Sequence, residues 1–401
     1  MRIVIVNLHC NDFLVRHLGR IMSKNKVKSF KHQFVVRGFL NYNIEVVNLV
    51  TNEGTKALFP YGYLTKRIRF TRIIESYFIE WKNSLPIIKT IREKDLKKDD
   101  IIVGYLVFPD TMSVILRADC YKVVFGNHFV SINNPIDLGN IGVNAFVNEI
   151  DLSNNEFVKK YINPGNADHL KLPYVFAPRF KAKKDFKERI NKVMAVGTAS
   201  TCEGAPGYSL YREYFNTEKI QLMRWEILEK KDEIKEYIDC YIGDIRSGSV
   251  KKRESHGLLD KVIWKLQKRK VGNQADYTSF DMVETFNNYK MFVCPEELVG
   301  MPGIGAIEGM ACGTAYIGID HDMYKSLGLI PGVHYITYDG TLEGLIDVIK
   351  EYQNRPDDVE RIAKTGMEYV REHFNEKAIQ ESFISQLTNS YERYLDQQNN
   401  D

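Results

Sequence analysis

The stretch Tyr289–Asp320 reads YKMFVCPEELVGMPGIGAIEGMACGTAYIGID and carries most of the information about the fold. Met291–Cys294 is a short apolar run that predicts a buried strand, and Ala315–Ile319 is a second run of this kind. A glycine-rich loop and Ala306–Ala311, which suits one or two helical turns, lie between them. This order predicts a parallel α/β unit, whose loop lies at the carboxyl edge of the sheet, where ligands bind.

The loop and the start of the helix indicate the chemistry of the ligand. We expect the helix to begin beside Gly305, so that its free N–H groups and its positive dipole end face the sheet edge, as in many phosphate sites. Gly303, Ile304 and Gly305 are the candidate backbone donors. Glu308, which we expect in the first helical turn, disfavours a phosphate. Its carboxylate can accept hydrogen bonds from both vicinal hydroxyls of a ribose or hexose.

Glycines before a helix, a nearby carboxylate and then EGMACGTAYIG resemble the nucleotide-sugar signature of GT-B glycosyltransferases, in particular the large retaining family 4. Members carry a glutamate, a glycine-rich loop, a second glutamate and AMACGTPVI. The second glutamate corresponds to Glu308, and the usual spacing places the first at Gly300, which has no side chain. Glu296 or Glu297 stands in its place through a loop three or four residues longer. The resemblance covers roughly residues 190–385 and is only architectural over 1–180.

The resemblance implies an α/β protein with two Rossmann-like, doubly wound domains. Residues 1–180 would form the acceptor-side domain and 188–374 the nucleotide-sugar domain, while 375–401 would form a last helix that crosses back to the first domain. The implied activity is transfer of a hexose from a UDP- or GDP-sugar to a carbohydrate or glycolipid acceptor, with retention. It needs no metal and no cofactor other than the donor substrate.

Further site residues follow from the resemblance and from predicted strand ends. Thr198 follows a predicted strand at Lys192–Val196 and belongs to the donor site. Arg224 and Arg246 are the predicted partners of the diphosphate. Tyr277 and Thr278 are predicted to flank the base, and His128 is predicted to contact the transferred sugar. An ordinary surface arginine, a core tyrosine or a turn histidine is the alternative at these positions.

Elsewhere the chain alternates predicted strands and helices. The main predicted elements of the first 180 residues are strands at Arg2–Leu8, Asn43–Val50, Asp100–Leu106, Tyr121–Phe125 and Ala145–Val147, a helix at Phe13–Met22 and a long helical region at Arg67–Lys97. The charged segment Pro178–Arg189 suits an interdomain linker or a solvated helix.

Composition limits the class of protein. The chain has 401 residues, of which 44% are hydrophobic, and a net charge of +3, which is too small to indicate nucleic acid. Its six cysteines are scattered, no metal-ligand spacing is present, and no leader or membrane-spanning run is recognised. We therefore expect a cytoplasmic protein. Residues 249–270 are rich in lysine and arginine and predict either a solvated helix or a peripheral contact with anionic membrane.

Three other functions stay open at this point. Gly303, Gly305 and Gly309 resemble the glycine motif of an NAD-type dehydrogenase or epimerase. Three residues lie between Gly305 and Gly309, whereas that motif has two. The first predicted turn, after Arg2–Leu8, also lacks glycines. The other two alternatives are a phosphoglycosyl-type or polyol-phosphate polymerase on the same fold and a catalytically inactive, glycan-binding relative.

Overall fold

A computed structural model describes residues 1–7, 33–49, 51, 88–107, 109–126, 129–202, 208–245, 280–296 and 298–400. The chain divides into two compact units. The first consists of Met1–Phe129, Asn134–Leu172 and Glu376–Asp401, and the second of Val130–Asn133 and Pro173–Asn375.

Strands and helices alternate along the described chain. The strands are β1 (Arg2–Val6), β2 (Glu45–Leu49), β3 (Lys89–Ile91), β4 (Asp100–Tyr105), β5 (Tyr121–Phe125), β6 (Ala145–Asn148), β7 (Asp168–Lys171), β8 (Ile190–Thr201), β9 (Lys219–Ile220), β10 (Ile238–Ile245), β11 (Tyr289–Val293), β12 (Ala315–Ile319) and β13 (Ile336–Tyr338). The helices are α1 (Gln33–Asn41), α2 (Pro109–Arg117), α3 (Glu156–Tyr161), α4 (Ser209–Phe215), α5 (Leu222–Glu229), α6 (Met282–Asn288), α7 (Ile304–Ala311), α8 (Asp322–Ser326), α9 (Leu342–Gln353), α10 (Pro356–His373) and α11 (Glu376–Asn400).

The first unit contains a seven-stranded sheet in the order β3-β2-β1-β4-β5-β6-β7. All neighbouring pairs are parallel, and Ile3 of β1 lies opposite both Val46 of β2 and Ile101 of β4. This is the doubly wound order of a Rossmann fold, extended by β7. The central strands are buried on both faces, which explains why they appear in the sequence as nearly continuous apolar runs.

The last helix, α11, belongs to the first unit. Arg37 of α1 donates from Nε and Nη2 to the two carboxylate oxygens of Glu376, at 2.9 and 2.7 Å. Gln380 donates to the carbonyl oxygen of Phe34 at 2.7 Å in a buried position. Further along, the phenol of Tyr121 shares a hydrogen bond with Ser390. The predicted return of the final helix to the first unit is therefore confirmed.

The second unit contains a six-stranded sheet with the path β10-β8-β11-β12-β13, to which β9 adds an antiparallel pair with β8. Alternate residues of its central strands enter two different cores. Val193 and Ala195 pack with α9 and α10 on one face, whereas Met194 and Val196 pack with α7 on the other. With the first sheet, this arrangement confirms the predicted fold class of two doubly wound α/β sheets.

Some predicted elements differ from the structure. The end of the predicted helical region Arg67–Lys97 contains β3, a three-residue edge strand, and the part before residue 88 lies outside the described residues, as does the predicted helix Phe13–Met22. The charged segment Pro178–Arg189 forms no α-helix, and its last residue is buried. No helix in the described ranges is both long and apolar enough to cross a membrane.

Candidate functional site

The second sheet changes direction between β8 and β11. β10 lies on one side of β8, whereas β11, β12 and β13 lie on the other side. The pairing of β8 with β11 ends at Ala195 opposite Val293, but β8 continues beside β10 as far as Ser200. Strands β8 and β11 therefore diverge at their carboxyl ends. Open α/β sheets bind ligands at such a switch point.

Arg224 joins the two sides of this switch point. Its guanidinium donates to the carbonyl oxygen of Pro295 after β11, from Nε at 2.9 Å and from Nη2 at 2.6 Å, and to that of Thr198 in β8 from Nη1 at 3.1 Å. The side chain is only 1% exposed. The structure thus brings the predicted residues Thr198 and Arg224 together. Arg224 holds the backbone of the crevice, and a phosphate contact by it stays a prediction.

Gly197 gives the Arg224 side chain room to pass. Its φ of +139° lies in a region that side chains rarely adopt, and a Cβ atom there would stand 2.8 Å from Nε of Arg224. This glycine is the sequence signal for the close approach. It follows the predicted strand as GTAS, but nothing local in the sequence identifies its distant partner.

The loop between β11 and α7 turns through two residues with positive φ, Val299 at 55° and Gly300 at 82°. Glu296 lies before this turn, and its Oε1 accepts hydrogen bonds from the phenol of Tyr324 at 2.6 Å and from the backbone N–H of Ile319 at 3.4 Å. The carboxylate is therefore tied to the carboxyl end of β12. Glu297, the other candidate for the first glutamate, lies outside the described residues.

Helix α7 begins beside the switch point. Gly303 is its N-cap, in an extended conformation, and Ile304 is 41% exposed. The N–H of Ala306 bonds to the carbonyl oxygen of Gly303 at 3.0 Å, whereas the N–H groups of Ile304 and Gly305 precede the first intrahelical hydrogen bond. A Cβ atom at Gly305 would stand 2.8 Å from Sγ of Cys294, so this glycine permits the helix to start against the end of β11.

Glu308 lies in the second turn of α7, not in the first, because the helix begins at Ile304, earlier than predicted. The side chain is half-buried, and within the described chain it makes no hydrogen bond. Burial raises the pKa of Glu308 to about 7, and the Arg179 guanidinium opposes this shift. A carboxyl group without a hydrogen-bond partner can accept hydrogen bonds from a ligand.

The charge of Arg179 opposes the rise in the pKa of Glu308, a relationship that the sequence analysis missed. Arg179 lies in the charged segment Pro178–Arg189, for which the sequence predicts a linker or a solvated helix. Its guanidinium lies 4.8 Å from the ring centre of Phe180. The ring is buried, whereas the arginine is exposed. No motif marks this residue, because it is 129 positions away from Glu308 in the chain.

The carboxyl end of α7 explains the ACGT sequence. Gly313 has a φ of +69°, and its N–H bonds to the carbonyl oxygen of Met310 at 2.8 Å, which ends the helix. The buried guanidinium of Arg189 donates to the carbonyl oxygens of Gly313 at 2.8 Å and Cys312 at 3.1 Å. Thr314 donates to the carbonyl oxygen of Phe286 at 2.7 Å. These contacts hold α7 in place beneath its exposed amino end.

In the first unit, the corresponding sheet edge holds a buried amide. Asn148, the last residue of β6, is 2% exposed, and its Oδ1 has no hydrogen-bond partner among the described residues. A Cβ atom at Gly126, just after β5, would stand 2.2 Å from this oxygen. The backbone at Gly126 therefore lies close against the side chain of Asn148.

Several predicted site residues lie outside the described residues: His128, Arg246, Tyr277 and Thr278, together with the basic segment 249–270. Their proposed roles stay predictions. Among the residues that the structure does describe, no cluster of three His, Cys, Asp or Glu side chains could hold a metal ion.

No protein-family model and no curated protein matches this chain. Among solved structures, TarM of S. aureus is 13% identical, with a TM-score of 0.44, over 75% of this chain, which spans 56% of TarM. A glycosyltransferase from Rickettsia africae is 11% identical, with a TM-score of 0.48, over 98% of each chain. The Anabaena protein HepE in complex with UDP is 10% identical, with a TM-score of 0.49, over 97% of this chain and 100% of its own.

Proposed function

We propose that this protein is a GT-B glycosyltransferase that binds a nucleotide sugar at the switch point of the second sheet. One observation carries the proposal: a single helix, α7, presents free backbone N–H groups at its start and, one turn later, a half-buried carboxyl group that makes no hydrogen bond within the described chain. The first feature suits a phosphate and the second suits paired hydroxyls.

The diphosphate of the donor would lie at the amino end of α7. The N–H groups of Ile304 and Gly305 are the donors, and the helix dipole adds a partial positive charge. Arg179, whose charge opposes the rise in the pKa of Glu308, would supply a positive charge for the diphosphate. The Glu308 carboxylate would accept hydrogen bonds from two hydroxyls of a sugar ring of the donor. Binding these hydroxyls would favour the charged form of the carboxyl group.

The chemistry proposed is electrostatic. As the glycosidic bond of the donor opens, negative charge develops on the diphosphate, and fixed N–H dipoles stabilise that charge without reorganising. We propose retention of configuration, no metal requirement and a carbohydrate or glycolipid acceptor, on the resemblance of the α7 region to family 4. Full activity in excess EDTA is the expected result for the metal-independent reaction.

The proposed test compares two variants, Glu308→Gln and Glu343→Gln. Glu343 lies in the first turn of α9 in the same unit and is exposed, so it controls for the loss of a charge near a helix start. In calorimetric titrations with UDP-glucose and GDP-mannose, we expect Glu308→Gln to weaken binding of the preferred donor by about tenfold or more, because it removes a charged acceptor. Glu343→Gln should bind like the wild type.

Two results would contradict the proposal. Equal donor affinity in the wild type and Glu308→Gln would remove Glu308 from the site. Binding of NADH in place of both nucleotide sugars would instead support the dinucleotide alternative, in which Gly303, Gly305 and Gly309 contact a pyrophosphate.

A further inference from the structure

A groove of about 540 Å³ lies in the first unit, at the amino ends of β5, β6 and β7. Doubly wound folds place their main ligand at the carboxyl ends of the strands. The groove is therefore on the opposite edge of the sheet. Its volume lies within the range of ligand sites in proteins. Its lining includes one half-buried aromatic side chain and five amide side chains: Tyr394, Asn140, Asn144, Asn163, Asn166 and Gln397.

The charged groups of the groove are hydrogen-bonded to neighbours that also line it. Asp168, the first residue of β7, accepts a hydrogen bond from Arg393 of α11 at 2.7 Å and another from Ser390. Asp137 accepts two bonds from Asn140, one from its backbone N–H and one from its side chain, each at 2.9 Å. The lining contains two carboxylates, Asp137 and Asp168, and one guanidinium, Arg393. It therefore has no excess of positive charge and disfavours an anion.

The groove has a rigid base. The phenol of Tyr121 shares a hydrogen bond with Ser390, and its ring meets that of Tyr394 edge to face, with centroids 5.2 Å apart. On the other side, two glycine turns cross so closely that a Cβ atom at Gly165 would stand 2.8 Å from Cα of Gly139. Tyr394 itself is half-buried and offers part of its ring to the groove.

Amide side chains are suited to hydroxyl groups. Each carries two donors and an acceptor, and a sugar hydroxyl both donates and accepts. Asn144 accepts from the backbone N–H of Lys122 at 2.7 Å, while its NH₂ group makes no bond with the described residues. Asn163, Asn166 and Gln397 are exposed at the rim.

We propose that this groove binds a neutral oligosaccharide, with Tyr394 as an aromatic platform for a sugar ring and the surrounding amides as partners for its hydroxyls. An apolar ligand would leave these amides without partners, and an anion would meet Asp137 and Asp168. The inference is independent of the donor site on the second unit and extends the proposed function with a second carbohydrate contact.

The test uses adjacent residues of one type on one helix. Gln397 lines the groove, whereas Gln398 is exposed and does not line it. Binding of maltopentaose, cellopentaose and N-acetylchitopentaose would be measured by saturation-transfer NMR and by calorimetry. We expect the wild type to bind at least one of them, and Gln397→Ala and Tyr394→Ala to raise the Kd about fivefold or more. Gln398→Ala and Glu308→Gln should leave the Kd unchanged.

Tyr394→Phe separates folding from binding, because it keeps the ring and its packing. It should retain most of the affinity, with an unchanged circular dichroism spectrum. The proposal is overturned if none of the three saccharides binds, if Gln397→Ala and Gln398→Ala have equal affinity, or if pyrophosphate binds the groove and the saccharides do not. Loss of binding in Glu308→Gln would also overturn it, because the saccharide would then occupy the donor site.

Discussion

Arg224 holds the carbonyl oxygen of Pro295 with two N–H groups, Nε at 2.9 Å and Nη2 at 2.6 Å. The two residues are 71 positions apart and lie on α5 and just after β11. With its third hydrogen bond, to Thr198, the guanidinium connects the diverging ends of β8 and β11. A buried arginine whose N–H groups contact backbone carbonyls fixes the shape of the crevice that we assign to the donor.

Arg224→Met should destabilise the second unit. The methionine keeps much of the side-chain volume but leaves the carbonyl oxygens of Pro295 and Thr198 without this donor, at about 1–3 kcal/mol for each buried acceptor. Urea unfolding followed by tryptophan fluorescence, to which Trp225, the next residue, contributes, measures the change. Arg212→Met is the control, because Arg212 is exposed and its ion pair with Glu218 should contribute about 1 kcal/mol or less. Equal stability of the two variants would contradict this role.

Gly197→Ala should destabilise the protein through the same contact. The substitution forces a side chain into a positive φ, at about 1–3 kcal/mol, and brings a methyl group to within 2.8 Å of Nε of Arg224. Gly332→Ala is the matched control, since Gly332 also has a positive φ, +72°, but a Cβ atom there would meet nothing within 4 Å. We expect the Tm to fall in both variants and to fall further in Gly197→Ala. A larger loss in Gly332→Ala would show that the approach of Arg224 adds no strain.

His128→Ala should lower kcat more than it weakens nucleotide binding. The residue lies outside the described chain, and the prediction rests on its place after β5 and on the resemblance to family 4. A neutral imidazole that bonds a hydroxyl of the transferred sugar contributes most as the glycosidic bond opens. Initial rates and UDP titrations on the same preparation separate the two effects. An unchanged kcat, or a loss of UDP affinity alone, would contradict the proposed contact of His128 with the transferred sugar.

The sequence predicts those features of the fold that depend on local pattern. Strands β8, β11 and β12 are buried on both faces, so their residues are apolar in succession and recognisable. The ACGT sequence after Glu308 predicts a helix end because Gly313 must take a positive φ there. β3 was included in a predicted helix because a three-residue edge strand has too little pattern to identify.

The features that could not be predicted depend on contacts between distant positions. The bond from Arg224 to Pro295, the approach of Arg179 to Glu308 and the capping of α7 by Arg189 all join residues that are far apart in the chain. Arginine side chains in charged segments look solvated in a sequence, whether or not a carbonyl group lies nearby. The groove beside Tyr394 is a similar case, because it is formed by three strand starts and the last helix.

The pH dependence of Glu308 gives a test with a defined sign. Folding raises the pKa of its carboxyl group from the ordinary 4.5 to about 7, so the folded chain binds this proton more tightly than the unfolded chain. Stability from this group is therefore fully present below 4.5 and is lost as the pH rises towards 7. Glu308→Gln has no such proton. Its Tm should equal that of the wild type at about pH 4.5 and exceed it at about pH 8.

Donor binding should show the opposite dependence on pH. If the Glu308 carboxylate accepts from two hydroxyls, UDP-glucose binds the charged form better, and wild-type affinity should increase between about pH 6 and pH 8. The diphosphate of this donor is esterified at both ends and does not titrate in this range. Calorimetry in two buffers of different ionisation enthalpy should show proton release by the wild type and none by Glu308→Gln. If instead the wild type takes up a proton on binding, Glu308 acts as a neutral donor, and the assignment of paired hydroxyls to its carboxylate is wrong.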